Sequence, residues 1–287
     1  MNKKTTTSKT KTESSPGLHF TKMTGTGNDF IIFDAREKTF PKFDRKLLAQ
    51  SLCRRHFSVG ADGIIFIEKS KKAHVAFKWD FYNADGSPAD MCGNAARCVA
   101  RYALEKNISD RTTSFETVAG VVNARVKPNG MVEVEMPKPA ILEKFLQVPV
   151  GSASLDIFYV NTGVPHVVKQ TDDWEGDYLK EMGSYLRNHE LFEKTNGANV
   201  TFYEVIGEKT IQSATYERGV EGITLACGTG AVAAVAAAVL GGMKGSVEVK
   251  VPGGMLHVDT DSDLSFATLA GEARFICEGE IKPEALL

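Results

Sequence analysis

The sequence lacks a long hydrophobic run and an excess of basic charge. Its longest apolar stretch, residues 231–240, is too short and too rich in alanine to span a bilayer. The net charge is −2 at pH 7, whereas nucleic-acid-binding domains usually carry a basic patch. These two absences predict that the protein has neither a membrane partner nor a nucleic-acid partner.

Cysteine is scarce, and its spacing fits no disulfide or metal framework. The five cysteines include no Cys-x-x-Cys pair, which argues against a secreted disulfide scaffold and against a zinc site. A reducing, cytoplasmic location without a bound metal is the simplest prediction. Residues 1–17 are rich in Lys, Thr and Ser and contain no apolar core of a secretory signal. They are predicted to form a disordered tail.

Two of the cysteines begin matching segments. Cys92 and Cys227 are each followed by Gly, by a small polar residue and by an alanine-rich run with helical periodicity. Other short matches occur in the same order, with offsets between 134 and 137 positions: Thr26-Gly27 with Thr162-Gly163, Gly60-Ala61 with Gly197-Ala198, and Tyr82-Asn83 with Tyr216-Glu217. A period of this length indicates a duplicated domain.

Each half combines short alternating strands with one alanine-rich helix. Turn residues separate the strands, which is typical of a mainly antiparallel sheet. We therefore predict an α+β fold of two pseudo-symmetric domains, each a sheet wrapped around a central helix, with the active site in the cleft between them. Pro137 and Pro139 interrupt the strand pattern. The predicted domains are residues 18–137 and 138–272, and a final strand at about 273–287 can return to the first domain.

The two cysteines are candidate acid–base groups. A helix N-terminus lowers the pKa of a thiol and offers unpaired N–H groups to an anion. Gly93 and Gly228 would let that anion approach the backbone closely. Two thiols facing one carbon from opposite sides could exchange its proton between faces. Cys53, Cys98 and Cys277 lack this context and are predicted to be structural.

Several segments resemble the diaminopimelate epimerase family, from about Leu18 to the C-terminus. They are KMTGTGNDF (22–30), GADG (60–63), FYNADGSPADMCGNAARC (81–98), VNTGVPHVV (160–168), NGANVTF (196–202) and YERGVEGITLACGTGA (216–231). The resemblance implies interconversion of LL- and meso-diaminopimelate by a thiolate–thiol pair, without pyridoxal phosphate, another cofactor or a metal. The product would serve lysine and peptidoglycan precursor synthesis.

The resemblance also implies roles for individual residues. Cys92 and Cys227 correspond to the catalytic pair, with His166 and Glu217 beside them. The substrate-binding positions are Asn28, Asn83, Gly93, Asn94, Asn199, Glu217, Arg218, Gly228 and Thr229, with Arg218 on the distal carboxylate. The sequence departs from many relatives at Val164, where they have Asn, and at Gly63, where some have Gln. Asn161 or Thr162 could replace the missing amide contact of Val164.

Three alternatives stay open from the sequence. A proline racemase-like enzyme also uses two cysteines on a duplicated fold. A dinucleotide-binding oxidoreductase is suggested by the spacing of Gly228, Gly230 and Ala233. A non-catalytic amino-acid-binding protein would share the fold without the chemistry. In each case the partner is a small molecule, and a homodimer is an option that the sequence leaves open.

Overall fold

The computed structural model describes residues 17–37, 40–150 and 153–287. The predicted tail, apart from Gly17, lies outside these residues. Among the described residues, the first half contains seven strands and two helices: β1 (Leu18–Gly25), β2 (Asn28–Asp34), α1 (Arg45–Leu52), β3 (Gly63–Glu68), β4 (Phe77–Asn83), α2 (Gly93–Glu105), β5 (Thr112–Thr117), β6 (Gly120–Val126) and β7 (Val132–Met136).

The second half repeats this order. It comprises β8 (Ala140–Val150), β9 (Ala153–Asn161), β10 (Pro165–Gln170), α3 (Tyr178–Arg187), a 3-10 helix (Glu190–Thr195), β11 (Asn199–Gly207), β12 (Thr210–Glu217), β13 (Gly222–Ile223), α4 (Gly228–Leu240), β14 (Val247–Val251), β15 (Gly254–Asp259) and β16 (Ala267–Gly271). The last strand, β17 (Arg274–Ile281), and a 3-10 helix (Pro283–Leu286) complete the chain.

Strand pairing gives the two halves the same topology. In the first half the strands are paired in the order β17, β1, β2, β3, β4, β5, β6, β7. In the second half the equivalent order is β8, β9, β10, β11, β12, β14, β15, β16. The halves join where β7 pairs antiparallel with β16. Only β2–β3, β4–β5, β10–β11 and β12–β14 are parallel among the described strands. The predicted α+β fold with two pseudo-symmetric halves is confirmed.

The helices α2 and α4 are the central helices of the two halves. Each has 13 residues, and each has a cysteine at its N-cap in an extended conformation. α4 is buried on every side, which explains its lack of a polar face. The two helices contact each other and belong to one continuous core that includes Phe30, Trp79, Phe115 and Val232. The fold therefore brings the two N-terminal turns together in the interior.

The outer faces of the sheet are covered by the shorter helices. Leu48 and Leu52 of α1 pack with Phe33 and Phe66 from β2 and β3. Leu186 of α3 packs with the second half in the same way. Asp44 caps α1 by accepting from the backbone N–H groups of Lys46 and Leu47. Each half thus has a sheet between an inner and an outer helix. None of the described helices has the length and apolar character needed to cross a membrane.

One strand, β8, differs from what the sequence pattern indicates. The sequence suggests a break after Pro137, but β8 begins at Ala140 and, among the described strands, pairs only with β9. An edge strand of this kind tolerates Pro149 and an irregular register, because one side of its backbone has no ladder partner. β17 pairs with β1, so the end of the chain lies in the first half. The domain boundaries themselves stay a prediction.

Candidate active site

The first turns of α2 and α4 meet at two glycines. A Cβ atom built on Gly228 would lie 2.8 Å from Leu269 Cδ2 and 3.8 Å from the Gly93 Cα. A Cβ on Gly93 would lie 3.3 Å from the same leucine atom. Glycine at both positions therefore allows the two helix ends to approach each other over Leu269. Their unpaired N–H groups and positive dipole ends favour an anion at this point.

Cys92 is joined to an amide network in the first half. Its Sγ lies 3.6 Å from Asn28 Oδ1, which also accepts a hydrogen bond from Asn94 Nδ2 at 3.2 Å. The same Asn94 nitrogen donates to the Ala226 carbonyl at 3.0 Å. Asn28 in turn donates to Asp62 at 2.6 Å. Since Ala226 precedes Cys227, Asn94 connects the segments that carry the two thiols.

Cys227 is joined to a histidine network in the second half. Its Sγ accepts from the Gly230 N–H at 3.4 Å and lies 3.4 Å from Thr229 Oγ1. His166 Nε2 is hydrogen-bonded to that Thr229 hydroxyl at 2.9 Å, and His166 Nδ1 to Thr201 Oγ1 at 2.9 Å. His166 therefore reaches the second thiol through Thr229.

Glu217 and Asn199 complete the surroundings of Cys227. Thr224 donates to the Glu217 carboxyl group. Burial raises the pKa of Glu217, and the neighbouring Thr224 hydroxyl and Cys227 thiol offset part of that rise. Asn199 is buried and its Nδ2 lies 3.4 Å from His166 Nε2. Both predicted supporting residues, His166 and Glu217, thus lie beside one thiol.

Burial controls the ionisation of these groups. It raises the pKa of both Cys92 and Cys227, and the nearby Glu217 carboxyl group acts in the same direction. Backbone N–H groups of the helix ends lower both values only in part. The expectation of a lowered thiol pKa is therefore wrong for this structure, because lost hydration outweighs the helix terminus. Burial also lowers the pKa of His166 to about 3, which leaves its imidazole neutral.

Arg218 lies directly after β12 and is anchored on one side. Its backbone N–H donates to Asn199 Oδ1 at 2.8 Å. Its Nη1 donates to the Thr195 carbonyl at 2.8 Å and to the Gly197 carbonyl at 3.4 Å. Its positive charge contributes to the lowered pKa of His166. Arg218 is therefore held near the second thiol's network with further N–H donors for a ligand.

Asn83 is set apart from the other predicted site residues. It is exposed at the end of β4, and its Nδ2 donates to Ser87 Oγ at 3.0 Å. Within the described part of the chain, it makes no hydrogen bond to another predicted site residue. It pairs across the sheet with Gly63, where a Cβ would lie 2.6 Å from Phe81 Cε2. A longer side chain at position 63 would require Phe81 to move.

The turn that contains Val164 is held by its neighbours. The Asn161 carboxamide accepts from the Gly163 N–H at 2.9 Å, and the Thr162 N–H donates to the Val164 carbonyl at 3.2 Å. Thr162 Oγ1 donates to the Thr229 carbonyl at 2.9 Å. Both candidates for replacing a missing amide are therefore engaged in holding the turn and the first turn of α4.

Sequence reasoning missed several buried polar residues of the site. Thr201 and Thr215 are hydrogen-bonded to each other at 3.0 Å behind His166, and Thr224 contacts Glu217. Strand alternation indicates which face these residues occupy but not which partner they meet. Arg97 is fully buried on α2. In the sequence, Arg97 stands out as a charged residue within a run of small and apolar residues, which is the pattern that could have identified it.

The dinucleotide-binding alternative finds no support in the fold. The glycine pattern at Gly228 follows the two-residue strand β13, which is antiparallel to β12, whereas a dinucleotide-binding motif follows a buried parallel strand. Among the residues that the structure describes, no group of three or more His, Cys, Asp or Glu could hold a metal ion. Cys53 and Cys98 are buried, as expected of structural residues, but Cys277 is exposed on β17.

Solved structures of known proteins share this fold. A probable proline racemase from Agrobacterium radiobacter K84 matches with a TM-score of 0.70 and 14% identity, covering 93% of this chain and 95% of its own. A hydroxyproline epimerase from Agrobacterium vitis matches with a TM-score of 0.69 and 16% identity, covering 93% of this chain and 94% of its own. At these identities, the likeness concerns the fold alone.

Sequence comparison identifies the family. The diaminopimelate epimerase family matches residues 20–142 and 158–276. A diaminopimelate epimerase from Aquifex aeolicus (strain VF5) is 38% identical over 279 residues, which cover 94% of this chain and 99% of the relative. One from Archaeoglobus fulgidus is 38% identical over 92% of this chain and 96% of its own length. The chain therefore belongs to the diaminopimelate epimerase family and is an epimerase.

Proposed function

We propose that this protein interconverts LL- and meso-diaminopimelate by a two-base mechanism in which Cys92 and Cys227 act on opposite faces of one carbon. The observation that carries the proposal is the equivalence of the two thiols. Each caps the central helix of one half, and the two helix ends meet at Gly93 and Gly228. One thiolate removes the α-proton, and the other cysteine, as a thiol, returns a proton to the opposite face.

The helix ends supply the electrostatic stabilisation that this chemistry needs. An amino-acid α-proton is a very weak acid, and negative charge spreads onto the α-carboxylate when it leaves. Backbone N–H groups in the first turns of α2 and α4, at Gly93, Asn94, Gly228 and Thr229, can bind that carboxylate. Preorganised donors of this kind are often the largest single contribution to catalysis.

The raised thiol pKa values fit the same reaction. A thiolate with a higher pKa is a stronger base, which favours removal of a weakly acidic proton. The two thiols also influence each other, since the negative charge of Cys92 raises the pKa of Cys227. Two thiolates at once are therefore disfavoured, which agrees with a mechanism that uses one thiolate and one thiol.

The remaining residues orient the distal end of the substrate. Arg218 can bind the distal carboxylate with its remaining N–H donors, and Asn28, Asn83 and Asn199 offer amide groups to the polar ends of an amino acid. The negative charge of Glu217 raises the pKa of both Cys92 and Cys227.

We also propose that the protein is cytoplasmic and has no nucleic-acid or membrane partner. Its product would serve lysine and peptidoglycan precursor synthesis. A homodimer is compatible with this function.

Proton NMR in D2O tests the reaction. With LL-diaminopimelate as substrate, we expect the meso product to carry deuterium at the α-carbon while substrate recovered early carries little. Equal early labelling of both pools would indicate a single base and contradict the two-base mechanism. Cys92→Ala and Cys227→Ala should both be inactive, and L-proline should not be racemised. Racemisation of proline instead of diaminopimelate would favour a proline racemase-like activity.

A further inference from the structure

Arg97 is a buried cation that has no carboxylate partner in the part of the chain that the structure describes. It is the fifth residue of α2 and is fully buried, whereas the equivalent position of α4 is Val232. It forms no salt bridge within the described residues, and Glu272, the carboxylate that affects its pKa, is paired with Arg274 at 3.4 Å. A buried charge without a counter-ion is unfavourable, and more so near the positive end of a helix.

The guanidinium group joins three segments around the site. Its Nη2 donates to Thr26 Oγ1 at 2.8 Å and to Asn94 Oδ1 at 2.9 Å. Its Nε donates to the Glu272 carbonyl at 3.3 Å. Thr26 lies in the turn before Asn28, Asn94 lies in the first turn of α2, and Glu272 follows β16 in the second half. One side chain therefore connects the turn, the helix end and the opposite half.

The contact with Asn94 fixes an amide between the two thiols. Because Asn94 presents its oxygen to Arg97, its nitrogen is the atom that donates to Asn28 Oδ1 and to the Ala226 carbonyl. Asn28 Oδ1 is the atom that lies next to Cys92 Sγ. Without Arg97, the Asn94 oxygen would lose its donor, and the Ala226 carbonyl alone would hold the amide in this orientation, which would leave the hydrogen bond toward Asn28 and Cys92 less firmly fixed.

We propose that Arg97 is a positioning residue of the epimerase reaction: through Asn94 it orients Asn28 on the Cys92 thiol, and its charge offsets negative charge that forms at Cys92. The first part rests on the proposed function, since it assigns Cys92 a catalytic role. The charged groups that shift the pKa of Cys92 are Arg97 and Glu217. The charge of Cys92 in turn raises the pKa of Cys98 and of Cys227. Arg97 lowers the pKa of Cys92, whereas Glu217 raises it.

The test compares Arg97→Met with Arg101→Met. Arg101 lies one turn later on α2 and also donates to a carbonyl of the connection after β16, that of Ala273. The readout is the rate at which iodoacetamide alkylates each thiol as a function of pH, measured by peptide mass spectrometry without substrate. At pH 8 we expect Arg97→Met to slow alkylation of Cys92 about tenfold, equivalent to one pKa unit, and that of Cys227 far less. Arg101→Met should change neither.

Arg97→Lys separates the charge from the hydrogen bonds. A lysine keeps the positive charge but cannot reproduce the planar fork. We expect alkylation of Cys92 close to the wild-type rate, together with a kcat for diaminopimelate lowered about tenfold and a smaller change in KM, since the orienting contact is lost. If Arg97→Met does not fold, the kcat of Arg97→Lys decides the proposal.

Three results would overturn the role of Arg97. They are a folded Arg97→Met protein with a wild-type alkylation profile at Cys92, equal slowing at both thiols, and an Arg97→Lys enzyme with full kcat. A purely structural role would lower the unfolding temperature and leave alkylation of the folded protein unchanged. If wild-type protein does not epimerise diaminopimelate, the proposed function fails, while the alkylation comparison still tests the effect of Arg97 on Cys92.

Discussion

In the proposed function, Arg218 is the residue that distinguishes a dicarboxylic substrate from a simpler amino acid. One of its guanidinium nitrogens is held by the Thr195 and Gly197 carbonyls. Loss of a charge-assisted contact to the distal carboxylate should cost roughly 1.5–3 kcal/mol. We therefore expect Arg218→Met to lose roughly tenfold to several hundredfold in kcat/KM for diaminopimelate, with kcat falling as well, because distant binding orients the α-carbon. Steady-state kinetics in both directions measure this change.

Matched measurements separate binding from structure at this position. Arg218→Lys should also be impaired, because an ammonium group lacks the planar fork. Any slow activity on a substrate without the distal carboxylate should fall much less than the activity on diaminopimelate. Equal losses for both substrates would mean that Arg218 has a structural role.

His166 should make the stability of the protein depend on pH. Burial lowers its pKa from 6.5 to about 3, so between these values the unfolded chain binds a proton that the folded protein does not. The stability is fully present above pH 6.5 and is lost as the pH falls toward 3. Between pH 7 and pH 5, we expect His166 to account for a loss of about 1–2 kcal/mol in the free energy of unfolding.

Urea unfolding of His166→Gln at both pH values measures this contribution. The variant should lose less stability than wild type between pH 7 and pH 5, by that amount. His19→Gln is the control, because His19 is exposed on β1 and the substitution should leave the wild-type slope unchanged. A His166→Gln protein with the full wild-type slope would show that another group titrates in this range.

At the scale of elements, the contact between the ends of α2 and α4 depends on glycine. A Cβ at Gly228 would lie 2.8 Å from the buried Leu269 side chain, which is closer than real Cβ contacts. We expect Gly228→Ala to lower the free energy of unfolding by roughly 1–3 kcal/mol, as overpacking usually does. Displacement of the helix end should also reduce epimerase activity. Chemical denaturation and steady-state rates measure the two effects.

Two further variants test the cause of this loss. Gly222→Ala should be nearly neutral in stability, because nothing lies within 4 Å of a Cβ there. Leu269→Ala added to Gly228→Ala should cost less than the sum of the two single changes, since it removes the atom that clashes. Strict additivity would mean that Leu269 does not limit the approach of the helices.

The sequence predicts the central elements better than their edges. The Cys-Gly segments mark the starts of α2 and α4 correctly, because an N-cap residue, a glycine and a helical run are local signals. β8 escapes prediction since Pro149 and an irregular register are allowed only by its position at an edge, which depends on the whole sheet. Likewise the sequence identifies both thiols, but their raised pKa values result from burial, which no local motif specifies.

At the scale of the whole molecule, pseudo-symmetry places the two cysteines at equivalent helix ends, but the polar residues around each thiol differ. Cys92 lies next to Asn28 in a network that ends at the Arg97 cation. Cys227 lies next to Thr229 in a network that contains a neutral His166. Equivalent strands and helices therefore carry different polar partners, which suits the proposed pair of one thiolate and one thiol.

Joining the two halves through these thiols should inactivate the enzyme. Cys92 and Cys227 begin helices that meet at Gly93 and Gly228, whereas Cys53 and Cys98 are buried elsewhere and Cys277 is exposed on β17. We expect mild oxidation to link Cys92 to Cys227, abolish activity and raise the free energy of unfolding by roughly 2–4 kcal/mol, because the bond closes a long loop.

Dithiothreitol should restore activity, and a peptide map of the oxidised protein should identify the linked pair. Cys277→Ser is the control against links between molecules and should behave like wild type. Pairing of either thiol with Cys53, Cys98 or Cys277 would contradict the proposed geometry.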